Sequence, residues 1–385
     1  MTSGSSGTRG VRPSSHEAPA SLALRVLAID GGGIRGVIPA RFLAELERRL
    51  GEALERIRAA GEPAEVAARW AGIDTPRIAD CFHLIAGTST GGLLAAGLTA
   101  TDRDGRPKLT AAQAAALYAD HGAEIFHRPL VRQVLDHFEL LAPKYPLAQL
   151  RRVLERDDVF GATRLRDART EVLILSFDAA RPGPRYFTRW AAREMTMAQV
   201  AQATAAAPTY FEPLALGSSR LIDGGVFAGD PALGAIALAL RRTAPPTVST
   251  PSEIFMISLG TGAFDVPLNY GGGGIIGWLQ PRTGGEALLE ALLGGSGDYA
   301  DELAHMLLNG APAPGANAQP KLPPDAVGGG PQLWRYQPLL PEPYGLDDVS
   351  ALPALERIAS AQIDRYRDEL AMFARALIEA GPVPA

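Results

Sequence analysis

Cysteine is nearly absent: Cys81 is the single one in 385 residues. No internal disulfide can form and no cysteine-rich metal site can be built, so a reducing compartment is the simpler reading and a cytoplasmic location is expected. Lysine is almost as scarce, with Lys108, Lys144 and Lys321 standing against 34 arginines; that bias is associated with GC-rich bacterial genomes. There is no excess of charge of one sign. Thirty-seven basic and 42 acidic residues leave −5, which gives no global positive field to recruit DNA, RNA or an anionic bilayer. Long apolar runs are missing too. The stretch from Leu22 to Ile29 is too short for a bilayer span or a secretory signal with its flanks. Residues 1–20 are small and polar, and are expected to be a disordered tail ahead of a single domain over residues 21–385.

With 46% hydrophobic residues the chain can bury a sizeable core. Leu22 to Ile29 ends in Asp30-Gly-Gly-Gly and is followed by a periodic stretch from Ile38 to Leu50, which is strand, glycine turn, helix. The same grammar returns as Cys81 to Ala86, Gly87 to Gly92, then Leu93 to Thr99. Further strands are expected at Glu171 to Phe177, Glu253 to Leu259 and Leu333 to Gln337, with helices at Thr110 to Gly122, Leu147 to Val153, Thr196 to Ala206 and Pro231 to Arg242. Alternation of this kind predicts an α/β fold, a mostly parallel sheet with helices on both faces, and ligands at the carboxyl ends of its strands. The glycine- and proline-rich region 271–331, including Gly294-Gly-Ser-Gly297, reads as flexible loops around a helical pattern at Asp298 to Leu308, and one amphipathic helix from Leu352 to Glu379 closes the chain. No internal repeat is visible.

Three motifs carry chemistry. Gly87-Thr-Ser89-Thr-Gly91 is G-x-S-x-G between a strand and a helix of small residues, the context of a nucleophile on a strained turn. Read blandly, Ser89 only caps the helix. Asp30-Gly31-Gly32-Gly33-Ile-Arg35-Gly36 offers consecutive bare amides at a helix start, suited to an oxyanion, a pyrophosphate or a mere turn. The pyrophosphate reading needs an acidic residue ending a second strand, whereas Glu52 and Glu55 fall in a helical or loop stretch, and a Walker-type Lys followed by Ser or Thr is missing. Leu221-Ile-Asp223-Gly-Gly225 places a carboxylate at the end of an apolar run; alone, it reads as a turn aspartate.

Taken together, D-G-G-G-I-R-G, G-T-S-T-G-G, A-A-A-P-T-Y-F (Ala205 to Phe211) and D-G-G resemble, in content and order, the patatin-like phospholipases, which are lipid acyl hydrolases of plants and bacteria. The resemblance runs from about Leu22 to Leu259, with Leu333 to Val349 similar to the family's carboxyl-terminal region. It implies a three-layer α/β/α fold, Ser89 as nucleophile, Asp223 as its partner, Gly31, Gly32 and Gly33 with Arg35 as oxyanion hole, and Gly87 and Gly91 as the elbow glycines. It also implies membrane glycerolipid esters as substrate, with peripheral membrane contact.

A Ser-Asp-His hydrolase would need a late histidine, and only His305 follows Asp223; it sits in a helical pattern without a flanking turn. His83, His121, His127 and His137 read as packed or surface residues. The chemistry the resemblance implies is a Ser89–Asp223 dyad working through an acyl-enzyme, and no metal or cofactor is expected. Ile275 to Leu279 is a candidate for acyl-chain contact, or ordinary core. Two alternatives remain: the same hydrolase switched on by a cyclic oligonucleotide to degrade membranes in antiphage defence, and a binding-only protein with a vestigial site, which the intact Ser89 and Asp223 disfavour.

Overall fold

The run from Leu24 to Ile29 forms the central strand β1, and its side chains part in alternation: Leu27 and Ile29 enter one apolar cluster, Leu24, Val26 and Ala28 another. A strand buried on both faces must be apolar nearly throughout, which is why no polar alternation marks it. The computed structural model describes residues 24–61, 63–127, 143–242, 245–265, 287–315 and 332–384. The expected N-terminal tail, most of the 271–331 loops, Ile275 to Leu279 and His137 lie outside the described residues.

The other strands are β2 (Leu84–Thr88), β3 (Glu171–Asp178), β4 (Gly183–Phe187), β5 (Leu214–Leu216), β6 (Ser219–Asp223), β7 (Ile254–Leu259), β8 (Ala263–Phe264), β9 (Leu333–Tyr336) and β10 (Leu339–Leu340). Strands β3, β2, β1, β7 and β9 are parallel neighbours in that order, β4 and β6 pair antiparallel with β3, and β5 pairs with β6. The helices are α1 (Val37–Ala60), α2 (Ala64–Arg69), α3 (Ile78–Cys81), α4 (Thr90–Thr99), α5 (Ala111–Ile125), α6 (Leu147–Leu154), α7 (Met197–Ala205), α8 (Ala232–Leu240), α9 (Ala287–Asn309), α10 (Leu352–Arg365) and α11 (Arg367–Ala380). Residues of α1, α4, α5, α7 and α11 build the first cluster, and residues of α8 and α9 the second. The sheet therefore carries helices on both faces, as expected.

Register fixes where the site is. Ile29 of β1 is level with Gly87 of β2 and Leu259 of β7, so the segments beginning at Asp30, Ser89 and Gly260 leave the sheet side by side. On β3, β4 occupies one edge from Ile174 to Asp178, so β2 and β6 must share the other. There Thr88 pairs with Leu175 and Asp223 with the next residue, Ser176. The two strands meet end to end, one arriving from each direction, and bring Ser89 and Asp223 together.

Three expectations are corrected. Cys81 closes α3 rather than opening a strand; the neighbouring His83 accepts the Arg25 amide on its ring Nδ1 and donates its own amide to Arg25 O, so a side chain replaces one rung before β2 begins at Leu84. Gly294 to Gly297 lies within α9, where Ala300, Ala304 and Leu308 are buried; tertiary packing outweighs the low helix propensity of glycine. The closing helix is two, broken at Tyr366, which turns its ring edge-on to Tyr336 at 4.8 Å between centroids.

Candidate active site

Ser89 stands between β2 and α4 at φ 54°, ψ −125°, backbone that an L side chain adopts only under constraint. The constraint is close packing. A Cβ on Gly87 would lie 2.2 Å from Gly91 O, and one on Gly91 would lie 2.0 Å from Ile29 O. Both elbow glycines are thus required by the approach of strand and helix. Thr204 of α7 receives the Ser89 amide on its hydroxyl oxygen at 2.8 Å and donates that hydroxyl to Leu175 O at 2.5 Å, bracing the turn from the third strand.

The Asp223 carboxylate is buried, accepts the Gly225 amide at 2.7 Å, and accepts the Ser89 hydroxyl. Burial pushes its pKa up to about 6, against the downward pull of those two hydrogen bonds. A carboxylate with this pKa is a better proton acceptor at neutral pH than an exposed one near 3.9.

The glycine loop is not three equivalent donors. The Gly31 amide donates to Gly229 O at 3.0 Å, the Ile34 amide to Leu346 O at 2.8 Å and the Arg35 amide to Gly32 O at 3.1 Å. Among the described residues the Gly32 and Gly33 amides have no partner. Both residues line the same cavity as Ser89. Their directions are set from the far edge of their own peptide planes, because a trans peptide points N–H and C=O opposite ways. The Thr261 hydroxyl donates to Gly31 O at 2.7 Å, which fixes the plane carrying the Gly32 amide. Arg35 donates to Gly32 O from its backbone amide and from Nε at 3.3 Å, which fixes the plane carrying the Gly33 amide. The Arg35 guanidinium is otherwise engaged, 3.4 Å from Glu290 and over the Phe264 ring. Gly31 and Arg35, expected as donors, are here supports of the loop. Gly31 also lets the nucleophile close in, since a Cβ there would meet Ser89 Cβ at 3.1 Å.

The loop is tied to the sheet by a buried ionic cluster. Arg335 of β9 grips Asp30 at 2.8 and 2.5 Å, donates to Ser258 at 2.8 Å, and lies 3.5 Å from Asp230 and 3.6 Å from Asp301, which also pairs with His305. Burial pushes Asp30 up to about 8 and Asp230 in the same direction, while Arg335 pulls both down. His305, weighed above as a triad histidine, belongs to this cluster and does not line the cavity.

A cavity of about 110 Å³ is lined by Ser89 and Asp223 together with residues of α4, α5 and α6, its walls including Leu93, Leu94, Leu117, Leu150, Val153 and Phe160. Tyr118 lines it, half-buried, and shares a 2.5 Å hydrogen bond with Thr90. Among the described residues no group of His, Cys, Asp and Glu side chains is placed to hold a metal ion, and no helix is long and apolar enough to cross a membrane.

Thr204, Thr261, Asp230 and Arg335 were not singled out from the sequence. For Thr261 a signal exists: Gly260-Thr261-Gly262 follows an apolar strand, as the two recognised glycine turns do. Arg335 shows itself only as a charge inside the apolar run Leu333 to Tyr336.

The family model described as patatin-like phospholipase matches residues 27–236, just over half of the chain. The chain is 36% identical to "Probable inactive patatin-3-Kuras 1" of Solanum tuberosum over 66% of its own length and 68% of that protein's. It is 35% identical to Patatin-17 of Solanum cardiophyllum over 62% and 60%, and 32% identical to Patatin-like protein 1 of Oryza sativa subsp. indica over 72% and 68%. The chain belongs to the patatin-like phospholipase family, and through it to the carboxylic ester hydrolases.

Proposed function

We propose that this protein hydrolyses acyl esters of membrane glycerolipids through Ser89 and Asp223, by way of an acyl-enzyme. The observation that carries the reading is the Ser89 hydroxyl held on a buried carboxylate, both lining an apolar cavity, with the Gly32 and Gly33 amides that have no partner among the described residues. Ser89 Oγ attacks the ester carbonyl as Asp223 takes its proton; the oxyanion is met by the Gly32 and Gly33 amides. The carbon–oxygen bond to the glycerol breaks, and Asp223 returns the proton to the departing alkoxide. Water then attacks the acyl-enzyme, loses a proton to Asp223, and Ser89 recovers its own as the fatty acid leaves. No histidine enters these steps.

The experiment is hydrolysis of a short p-nitrophenyl ester and of phosphatidylcholine vesicles by wild type, Ser89→Ala and Asp223→Asn. Both variants should fold and lose turnover by several orders of magnitude, and a fluorophosphonate should label wild type at Ser89 only. A folded Ser89→Ala variant with wild-type turnover would overturn the proposal. Adding cyclic di- and trinucleotides to the same assay tests the defence-effector alternative, for which ligand-dependent turnover is the signature.

A further inference from the structure

Helix interiors disfavour glycine relative to alanine, and α4 carries three. Two have a packing reason. A Cβ on Gly91 would lie 2.0 Å from Ile29 O, and one on Gly92 2.7 Å from the Thr204 methyl. At Gly97 that reason is gone: a Cβ would stand 3.7 Å from Leu109 Cδ1 and 3.9 Å from Ala114 Cβ, which are ordinary contacts. Gly97 instead lines the same apolar cavity as Ser89. What its missing side chain leaves is passage.

The position along the helix gives that passage a length. Gly97 is eight residues beyond Ser89 on α4, about 12 Å at 1.5 Å per residue. An extended chain advances about 1.2 Å per bond, so an acyl chain esterified to Ser89 reaches Gly97 after about ten bonds. Helix α5 flanks the same route, with Tyr118 bonded to Thr90 at the reactive end and Ala114 beside Gly97 farther in. Leu150, Leu154 and Phe160 line the same cavity, apolar again.

We propose that Gly97 is the acyl-chain gauge of this site: its bare Cα lets carbons beyond about the tenth continue into the cavity, so long-chain acyl esters are accepted. This rests on the hydrolase reading above, and it names the part of the substrate that the cavity selects. Each methylene excluded from an apolar site forfeits about fourfold in kcat/KM.

The test compares wild type, Gly97→Leu and Gly97→Ala on p-nitrophenyl butyrate, decanoate and palmitate. For Gly97→Leu, the ratio of kcat/KM for palmitate to that for butyrate should fall at least tenfold, with the optimum moving to ten carbons or fewer. Gly97→Ala should raise the thermal midpoint, since alanine fits and favours helix, while lowering the same ratio severalfold; it carries the test if the leucine variant does not fold. An unchanged ratio in a folded variant, or a Gly97→Ala protein less stable than wild type, overturns the gauge. Wild type that hydrolyses none of the three esters overturns the hydrolase reading instead.

Discussion

Thr261 makes one hydrogen bond that stability and catalysis read differently. Its hydroxyl donates to Gly31 O at 2.7 Å, and its side chain fills the space a Cβ on Gly32 would need, 2.2 Å from Thr261 Oγ1. Thr261→Val keeps the volume and removes the donor. Leaving the Gly31 carbonyl without its partner in a nearly closed site should cost about 1–3 kcal/mol of stability, a few degrees in thermal midpoint. If the bond serves only to hold the fold, turnover per folded molecule stays put. If it aims the Gly32 amide, kcat must fall as well. Losing an oxyanion donor outright costs roughly 10²- to 10³-fold. Here the amide remains and Arg35 still braces the next peptide plane, so a drop of about 10- to 10²-fold is expected, with KM changing far less. Thr261→Ser restores the hydroxyl and should recover kcat to within about threefold. The assay is kcat and KM on p-nitrophenyl butyrate with the thermal midpoint of the same preparations. A destabilised valine variant with wild-type kcat, or a serine variant as slow as the valine one, refutes the reasoning.

Asp223 must be ionised to accept a proton, so kcat/KM should fall about tenfold per pH unit below about 6, the value to which burial raises it; a profile flat down to pH 4.5 would contradict this. The sign for stability is the opposite. A carboxyl whose pKa is raised on folding contributes stability below its unfolded value near 3.9 and loses that contribution as pH rises through about 6. Asp223→Asn should therefore gain in thermal midpoint over wild type more at pH 8 than at pH 4, while being catalytically dead. Arg335→Met leaves Asp30, Asp230 and Asp301 without their cation and should cost about 3–5 kcal/mol, partly recovered on lowering the pH as Asp30 and Asp230, both raised by burial, take up protons. His305→Ala should lower the thermal midpoint and leave kcat within severalfold, because its ring partners Asp301 and not Ser89; collapse of kcat in a folded variant would restore the histidine to the mechanism.

The elbow was legible because everything that makes it is close by. The clash a Cβ on Gly87 would meet is with Gly91, four residues on, so the glycine spacing is itself the trace of the geometry. Asp223 is a different case. It reaches Ser89 only because β6 runs down the edge of β3 that β2 runs up, a pairing across long sequence separations, and Leu221-Ile-Asp223-Gly by itself looks like any turn. The motif order, not the local pattern, identified it. Within Gly31 to Gly33 the sequence cannot rank the amides, since three glycines in a row look alike. Gly229, which takes the Gly31 amide, and Thr261, which fixes the plane of the Gly32 amide, both come from distant segments. Arg335 was invisible for the same reason: its partners Asp30, Ser258 and Asp230 arrive from three other places in the chain.

One physical term links the base, the nucleophile and the cavity. Asp223 lines the same apolar cavity as Ser89, and loss of solvation on burial is the largest influence on its carboxyl. An imidazole relay in a triad supplies a base of pKa near 6.5 by its own chemistry; here burial brings a carboxylate to about 6 instead. Such a base is costly in a second way, because a buried anion needs donors, and each donor added would pull the pKa back down. Asp223 has two, the Gly225 amide and the Ser89 hydroxyl, and the second is the group it must deprotonate. In the proposed reaction, as Ser89 gives up its proton the carboxylate that loses that donor becomes a neutral acid at the same moment, so no unpaired buried charge remains on Asp223. In the same proposed step the negative charge moves to the substrate oxygen, toward the Gly32 and Gly33 amides, which have no partner among the described residues.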